Sequence, residues 1–337
     1  MKRNILVPCG GKWVGAIMAL KAAQAEVPEL AGGSVFVADR EALTPAGCFA
    51  DGNFVVPSVA DEDYIDALLS ICERADIRVI VPLIDIDLDR QSPHLARFEA
   101  IGTTVVTPPE HLVQLCLDKN QFDAFCEEEG LPVPRRVHVG DLASASFPLF
   151  GKRLRGFGSI GAGVVKDAAE ARAMEEVAPS IFQEVIDAEE VSVDVFINRD
   201  GKLIARVPRQ RDKVIGGEAQ RSHTLTDPAV LALADRTAEA LARRGLRGPA
   251  NIQLFLSDPL TLIEVNTRLG SCTVLSNAAT GGRIYRSVLL EACGGTAEGD
   301  PDDYNPKLHI YRFTGDVFYE GESMVSAAPP VPERGEG

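Results

Sequence analysis

A chain of 337 residues with ordinary apolar content is long enough for two or three domains, each with its own core, and it has no apolar run able to span a membrane. Its 49 acidic side chains outnumber 34 basic ones, and the net charge of −15 argues against general affinity for nucleic acid. Seven scattered cysteines, none in a CxxC pair, read as reduced thiols in a cytoplasmic protein and not as a disulfide framework or a zinc site.

The first residues are too quickly interrupted by polar groups for a signal peptide, and Ile5-Leu6-Val7 reads as a strand. A helix over 14–25, a strand over 34–38, an amphipathic helix over 61–74 and strands over 79–82 and 103–106 follow. This alternation predicts an open, mainly parallel α/β unit over residues 1–115. The turn Cys9-Gly10-Gly11-Lys12-Trp13-Val14-Gly15, with Asp39 ending the second strand, invites a dinucleotide reading. The spacing is GGxxxG, however, and Lys12 and Trp13 are bulky where a pyrophosphate would approach. A tight strand-to-helix turn, or the wall of a substrate pocket, fits better. Asp85, Asp87 and Asp89 follow the 79–82 strand at alternate positions. They suit either a substrate ammonium group or the start of a helix.

A helix over 117–130 has Asp118 as N-cap and Gly130-Leu131-Pro132 as its stop. Strands are predicted over 147–152, 181–186 and 190–198, with Asn198-Arg199-Asp200-Gly201 turning into a return strand over 202–206. Helices over 227–244 and 283–292 and a loose tail over 321–337 complete the chain.

Four motifs carry chemistry. Lys152 stands before Arg153-Leu154-Arg155-Gly156-Phe157-Gly158-Ser159-Ile160-Gly161-Ala162-Gly163. Its glycines free backbone N–H groups to wrap phosphate oxygens, without the GK[ST] ending of a Walker loop. The strand end Glu184-Val185 can present backbone groups to an adenine edge, and a carboxylate in the following Ala188–Asp194 segment can take ribose hydroxyls. Arg209 and Arg211 share a strand face and suit a carboxylate clamp, or else form an exposed basic strand. Finally, Asn251–Leu256 and Thr261–Asn266 alternate as a hairpin. With Leu256 opposite Thr261, Gln253 falls opposite Glu264, and Gln253, Glu264, Asn266 and Arg268 point one way while Ile252, Leu254, Ile263 and Val265 enter a core. Three oxygen ligands beside an arginine suit Mg²⁺ holding a phosphate, and a merely polar hairpin face is the alternative.

In this order the motifs resemble the ATP-grasp superfamily, in its carbamoyl-phosphate-synthetase-like branch, over about residues 1–295. Asp118-Lys119, Gly130-Leu131-Pro132-Val133-Pro134, Lys152, Gln183-Glu184-Val185-Ile186, Glu190-Val191-Ser192-Val193-Asp194, Asn251-Ile252-Gln253 and Ile263-Glu264-Val265-Asn266-Thr267-Arg268 carry the likeness. It implies a mixed α/β and α+β fold: the N-terminal unit, a lid over 116–190 and a C-terminal α+β unit over 191–320. It also implies that Lys119, Lys152 and the glycine loop (Gly158, Ser159, Gly161) contact ATP phosphates. Glu184, Val185 and Ile186 would frame adenine, and Glu190 would hold the ribose. Gln253, Glu264 and Asn266 would bind Mg²⁺ or Mn²⁺, and Arg268 the transferring phosphoryl group. Arg153 and Thr267 stand where the family often has prolines.

The reaction so implied is ATP-dependent joining of a carboxylate to an amine through an acyl phosphate, with amino acids or small peptides as substrates. Arg268, Lys152, Arg209 and Arg211 would serve catalysis. The partners are small molecules, with no nucleic acid or membrane and a second copy of the chain as one option. A phosphotransferase that stops at the acyl phosphate, one part of a multi-chain carbamoyl-phosphate-type synthetase, and a non-catalytic nucleotide-responsive module remain open.

Overall fold

The computed structural model describes residues 2–156, 160–321 and the backbone of 323–327. Gly158 and Ser159, expected in the phosphate loop, lie outside these residues.

Five parallel strands open the chain: β1 (Asn4–Pro8), β2 (Val35–Asp39), β3 (Gly52–Val55), β4 (Ile77–Ile80) and β5 (Thr104–Val105), in the order β3-β2-β1-β4-β5. The connecting helices are α1 (Val14–Ala25), α2 (Tyr64–Arg74), α3 (Asp85–Gln91) and α4 (Leu95–Ala100). Along β1 the side chains alternate between the two faces. Ile5 and Val7 join Ile17, Leu20 and Tyr285 in one core, and Leu6 joins Tyr64, Leu68 and Phe98 in the other.

Two helices follow, α5 (Glu110–Leu117) and α6 (Lys119–Glu128). Leu117 thus ends a separate helix, and the expected one begins at Lys119, because Asp118 breaks the run in an extended conformation and caps α6 through the N–H groups of Asn120 and Gln121. A four-stranded antiparallel sheet, β6 (Arg136–Val137), β7 (Leu149–Arg153), β8 (Gly163–Val165) and β9 (Ser180–Glu184), runs in the order β6-β9-β7-β8. Helix α7 (Ala168–Val177) covers it over a small core of Leu149, Ala171 and Phe182.

The largest sheet is antiparallel: β10 (Glu190–Ile197), β11 (Leu203–Ile215), β12 (Glu218–Thr224), β13 (Gly248–Phe255), β14 (Thr261–Asn266) and β15 (His309–Tyr311), ordered β14-β13-β10-β11-β12-β15. Val191, Val193 and Val195 of β10 face α8 (Pro228–Arg243) and the α5–α6 pair in one core. Each such valine contributes ~1.5–3 kcal/mol on burial. Glu190, Ser192 and Asp194 therefore take the opposite face. Helices α9 (Thr273–Ala279) and α10 (Arg283–Ala292) return to pack beside α1. A last hairpin, β16 (Val317–Glu320) with β17 (Ser323–Ala327), places a strand inside the segment expected to be a loose tail.

Candidate active site

A cleft of about 940 Å³ lies between the three sheets. Its floor is the β13–β14 hairpin. Gln253 pairs with Glu264 as the alternation requires, and both line the cleft with Asn266. The register then slips: Leu254 faces Leu262 and Phe255 faces Thr261, so the pairing of Leu256 with Thr261 does not form. This β-bulge adds one residue to β14. It sends Leu262 into the core with Ile252, Leu254 and Val265, and turns Ile263, expected in that core, toward the cleft. Asn266 Nδ2 donates to Glu264 Oε1 at 3.1 Å, which fixes the two groups relative to one another. Oxygen donors with a single carboxylate suit Mg²⁺, which keeps phosphates and waters as its remaining ligands.

Lys119 and Lys152 face this floor from the first turn of α6 and from β7. Burial pushes the Lys152 ammonium down to about 8; Glu264 pulls it up and Lys119 pushes it further down. Burial also lowers Lys119, against the pull of Glu264. Among the described residues neither ammonium has a carboxylate within salt-bridge reach, and Lys119 Nζ has only the Gly156 carbonyl at 3.5 Å. Two half-buried cations without a paired carboxylate among the described residues suit a polyanion.

The arginines differ, because each is held by a carboxylate. Arg268 donates Nε and Nη2 to Asp85 at 3.0 and 2.7 Å. Burial opposes its charge, yet Asp85 keeps it above the ordinary value. Arg209 donates Nε to Asp194 at 2.9 Å, and its Nη1 and Nη2 have no partner among the described residues. Arg211 donates Nη1 to Glu190 at 2.6 Å and to Gln253 Oε1 at 2.8 Å, and Nη2 to the Gly217 carbonyl at 2.8 Å. Arg209 and Arg211 do share a cleft-lining face, but neither is an exposed basic residue: Arg209 is 3% accessible.

Asp194 escaped the sequence analysis as a site residue. It accepts from Arg209, Asn251 at 2.6 Å, Thr273 at 3.1 Å and Ser276 at 2.6 Å. Burial raises its carboxyl, and these donors, led by Arg209, bring it below the usual range. Gln253 Nε2 donates in turn to Asn251 Oδ1 at 3.3 Å, so Asp194 ties β13 to Arg209. The signal was the spacing 190, 192, 194, which puts Asp194 on the face of Glu190.

Glu190 lines the cleft, as does Gln183 of β9. The side chain of Glu184 instead accepts from the Arg135 backbone N–H at 2.8 Å, and neither Val185 nor Ile186 contributes to the cleft lining. Gly161 has a positive φ of 71° beside the Arg153 guanidinium, while its neighbours Ile160 and Ala162 line the cleft. The other end of the cleft is built from the carboxyl ends of β1 and β2. There Gly11 N–H donates to Asp39 Oδ2 at 2.9 Å, and an added Cβ at Gly11 would stand 2.6 Å from that oxygen. Lys12 pairs with Glu218 across the cleft. Cys272 is buried beside Ala219 and Leu275 and also touches the cleft.

The three alternate aspartates part company because the segment is a helix. Asp85 meets Arg268, and Asp89 accepts from Gln114 at 2.7 Å and Arg155 at 3.5 Å. Asp87 is sealed beneath Tyr64 and Gln91, where burial raises it to about 6.

Residues 6–106 match the family described as PylC-like, N-terminal domain, and residues 116–272 the ATP-grasp domain. The carbamoyl phosphate synthase large chain of Thermoplasma acidophilum is 26% identical over 267 residues, 70% of this chain and 26% of that one. That of Methanothrix thermoacetophila is 24% identical over 273 residues, 72% of this chain and 25% of that one. The chain therefore spans about a quarter of these relatives' length. Among solved structures, the biotin carboxylase domain of Hydrogenobacter thermophilus 2-oxoglutarate carboxylase superposes with a TM-score of 0.76 at 14% identity, covering 98% of this chain and 84% of that one. An L-amino acid ligase from Bacillus licheniformis gives 0.69 at 19%, covering 94% and 82%.

Proposed function

We propose, from the premise that the chain belongs to the ATP-grasp superfamily and carries a PylC-like N-terminal domain, that it is an ATP- and Mg²⁺-dependent ligase joining a carboxylate to an amine. The observation that carries this reading is the pair of half-buried lysines facing the Gln253, Glu264 and Asn266 floor. Cations beside a set of oxygen donors support a triphosphate with its Mg²⁺.

In this reading residues 1–115 supply one wall, 116–190 close over the nucleotide and 191–320 supply the floor. Lys119 and Lys152 take phosphate oxygens. Gln253, Glu264 and Asn266 would hold Mg²⁺, which when bound neutralises phosphate charge as a Lewis acid. Gln183 and the β9 end lie at the nucleotide's base, and Glu190 at its ribose. A substrate carboxylate oxygen attacks the γ-phosphorus, the bond to the bridging oxygen breaks, and ADP leaves. Arg268 spreads the charge that gathers on the transferring group. An amine nitrogen then attacks the acyl carbon; phosphate departs, and the amine loses a proton to give the amide. The free nitrogens of Arg209 suit a substrate carboxylate not undergoing reaction, which favours amino acids or small peptides. The seven free cysteines suit the cytoplasm.

An ADP-release screen across amino acids, singly and in pairs, with mass spectrometry of the products, tests the proposal. An amide product with ADP and phosphate is expected. ADP release that needs no amine would point to a stable acyl phosphate, and no nucleotide binding at all would remove the reading.

A further inference from the structure

Helix α3 brings the N-terminal sheet into the phosphate half of the cleft. Asp85, its first residue, is 6% accessible and lines that cleft. Its two oxygens accept from Nε and Nη2 of Arg268, at 3.0 and 2.7 Å. A fork-on-fork pair fixes the plane of a guanidinium as well as its position. Nη1 stays outside the fork, and its partner among the described residues is the Leu269 carbonyl at 3.3 Å.

The position matters because Arg268 also lies in the field of Glu264. Glu264 is the one carboxylate in the Gln253, Glu264, Asn266 donor set. An untethered guanidinium would turn toward it and compete with Mg²⁺ for its oxygens. Four residues along the same helix, Asp89 accepts from Gln114 and Arg155, at the entrance to the glycine loop. The two acids share a helix face and address two different parts of the phosphate grip.

We propose that Asp85 is a positioning residue for phosphoryl transfer: it holds Arg268 away from Glu264 and keeps Nη1 available to the transferring group. Asp85 itself touches no substrate. The inference rests on the phosphoryl role proposed above for Arg268.

The test needs no substrate. Calorimetry on the full chain with Mg²⁺ measures affinity for the imido analogue of ATP and for ADP, and their ratio reports the γ-phosphate contact. Arg268→Ala should lower that ratio by about tenfold or more. Asp85→Asn should lower it roughly three- to tenfold, and should add nothing in the Arg268→Ala background. Asp85→Glu keeps the charge but displaces the fork, so it should also lower the ratio; if Asp85→Asn does not fold, this variant decides. A wild-type ratio in both Asp85 variants would overturn the proposal. So would an equal loss of both affinities, an additive effect in the double variant, or a raised ratio, which would make Asp85 a competitor for Arg268. An unchanged ratio in Arg268→Ala would remove the phosphoryl assignment and this inference with it, which sets that failure apart from the others.

Discussion

Replacing Lys152 by Met should weaken MgATP binding and abolish a pH dependence that the wild type shows. In the structure burial lowers the ammonium from 10.5 to about 8, with Glu264 and Lys119 acting in opposite directions on it. The interval corresponds to roughly 3 kcal/mol of opposition to the charged form. A triphosphate beside the ammonium reverses that preference, so the bound-state value lies above the free-state one. Affinity is therefore full below about pH 8 and falls as pH rises through 8, approaching tenfold per unit. The same lysine affects stability with the opposite sign. Its folded value is depressed below the unfolded one, so the unliganded chain gains stability as pH rises from about 8 to 10.5. Nucleotide-induced stabilisation should consequently be largest below pH 8. Lys152→Met removes one charge-assisted contact, ~1.5–3 kcal/mol or about ten- to a hundredfold in affinity at neutral pH. Calorimetry with the imido analogue of ATP between pH 6.5 and 9.5 would follow both effects. A wild-type profile without a break near 8 would refute the reasoning. So would a break that survives in Lys152→Met, which would assign the titration to Lys119.

Three further outcomes follow from the same geometry. Glu264→Ala should abolish ADP release while melting cooperatively, because it removes the one carboxylate of the proposed metal set; turnover at the wild-type rate would cancel the assignment. Arg209→Lys keeps the charge against Asp194 but loses the planar fork, so the KM for the carboxylate co-substrate should rise about tenfold with the KM for ATP nearly unchanged. A change confined to ATP would move Arg209 to the nucleotide. Asp227→Ala removes the side chain that accepts from the Ala229 and Val230 N–H groups at the start of α8 and should cost ~1 kcal/mol in urea unfolding without altering nucleotide affinity.

What the sequence discloses depends on whether a segment's period agrees with its structure. Helices α1 and α10 begin and end where the apolar spacing puts them, and α8 runs between its caps Asp227 and Arg244. The pairing of Gln253 with Glu264 was legible because both strands alternate strictly as far as that pair. The bulge beside it was not, since nothing in Thr261-Leu262-Ile263 distinguishes a two-on-one pairing from a regular one. Asp85-Ile86-Asp87-Leu88-Asp89 alternates like a strand yet opens α3, the helix start its acids allowed, and the helix is too short to show its own period. β11 runs to Ile215, past the expected end of the return strand at Arg206 and through Pro208, Arg209 and Arg211. The proline is tolerated because β12 ends at Thr224, and the Leu225 N–H donating to the Pro208 carbonyl makes the last rung there. The fork between Asp85 and Arg268 spans 183 residues and had no local signal at all.

Around the Gln253, Glu264 and Asn266 floor the charges divide by residue type, and the division has a physical reason; at the far end Lys12 pairs with Glu218. Arg209, Arg211 and Arg268 each have a carboxylate partner, in Asp194, Glu190 and Asp85. Lys119 and Lys152 have none among the described residues, and both are shifted toward the neutral form, burial first. A planar guanidinium can give one edge to a carboxylate and still present another, so pairing orients it without consuming it. An ammonium has no such second edge, and a fixed carboxylate against it would compete with any phosphate. In the proposed reading these three acid-held arginines supply geometry, and Lys119 and Lys152 supply affinity. In a chain of net charge −15 this division favours a polyanion: Asp85, Glu190 and Asp194 are engaged with arginines, and the two lysines face the cleft without a paired carboxylate among the described residues.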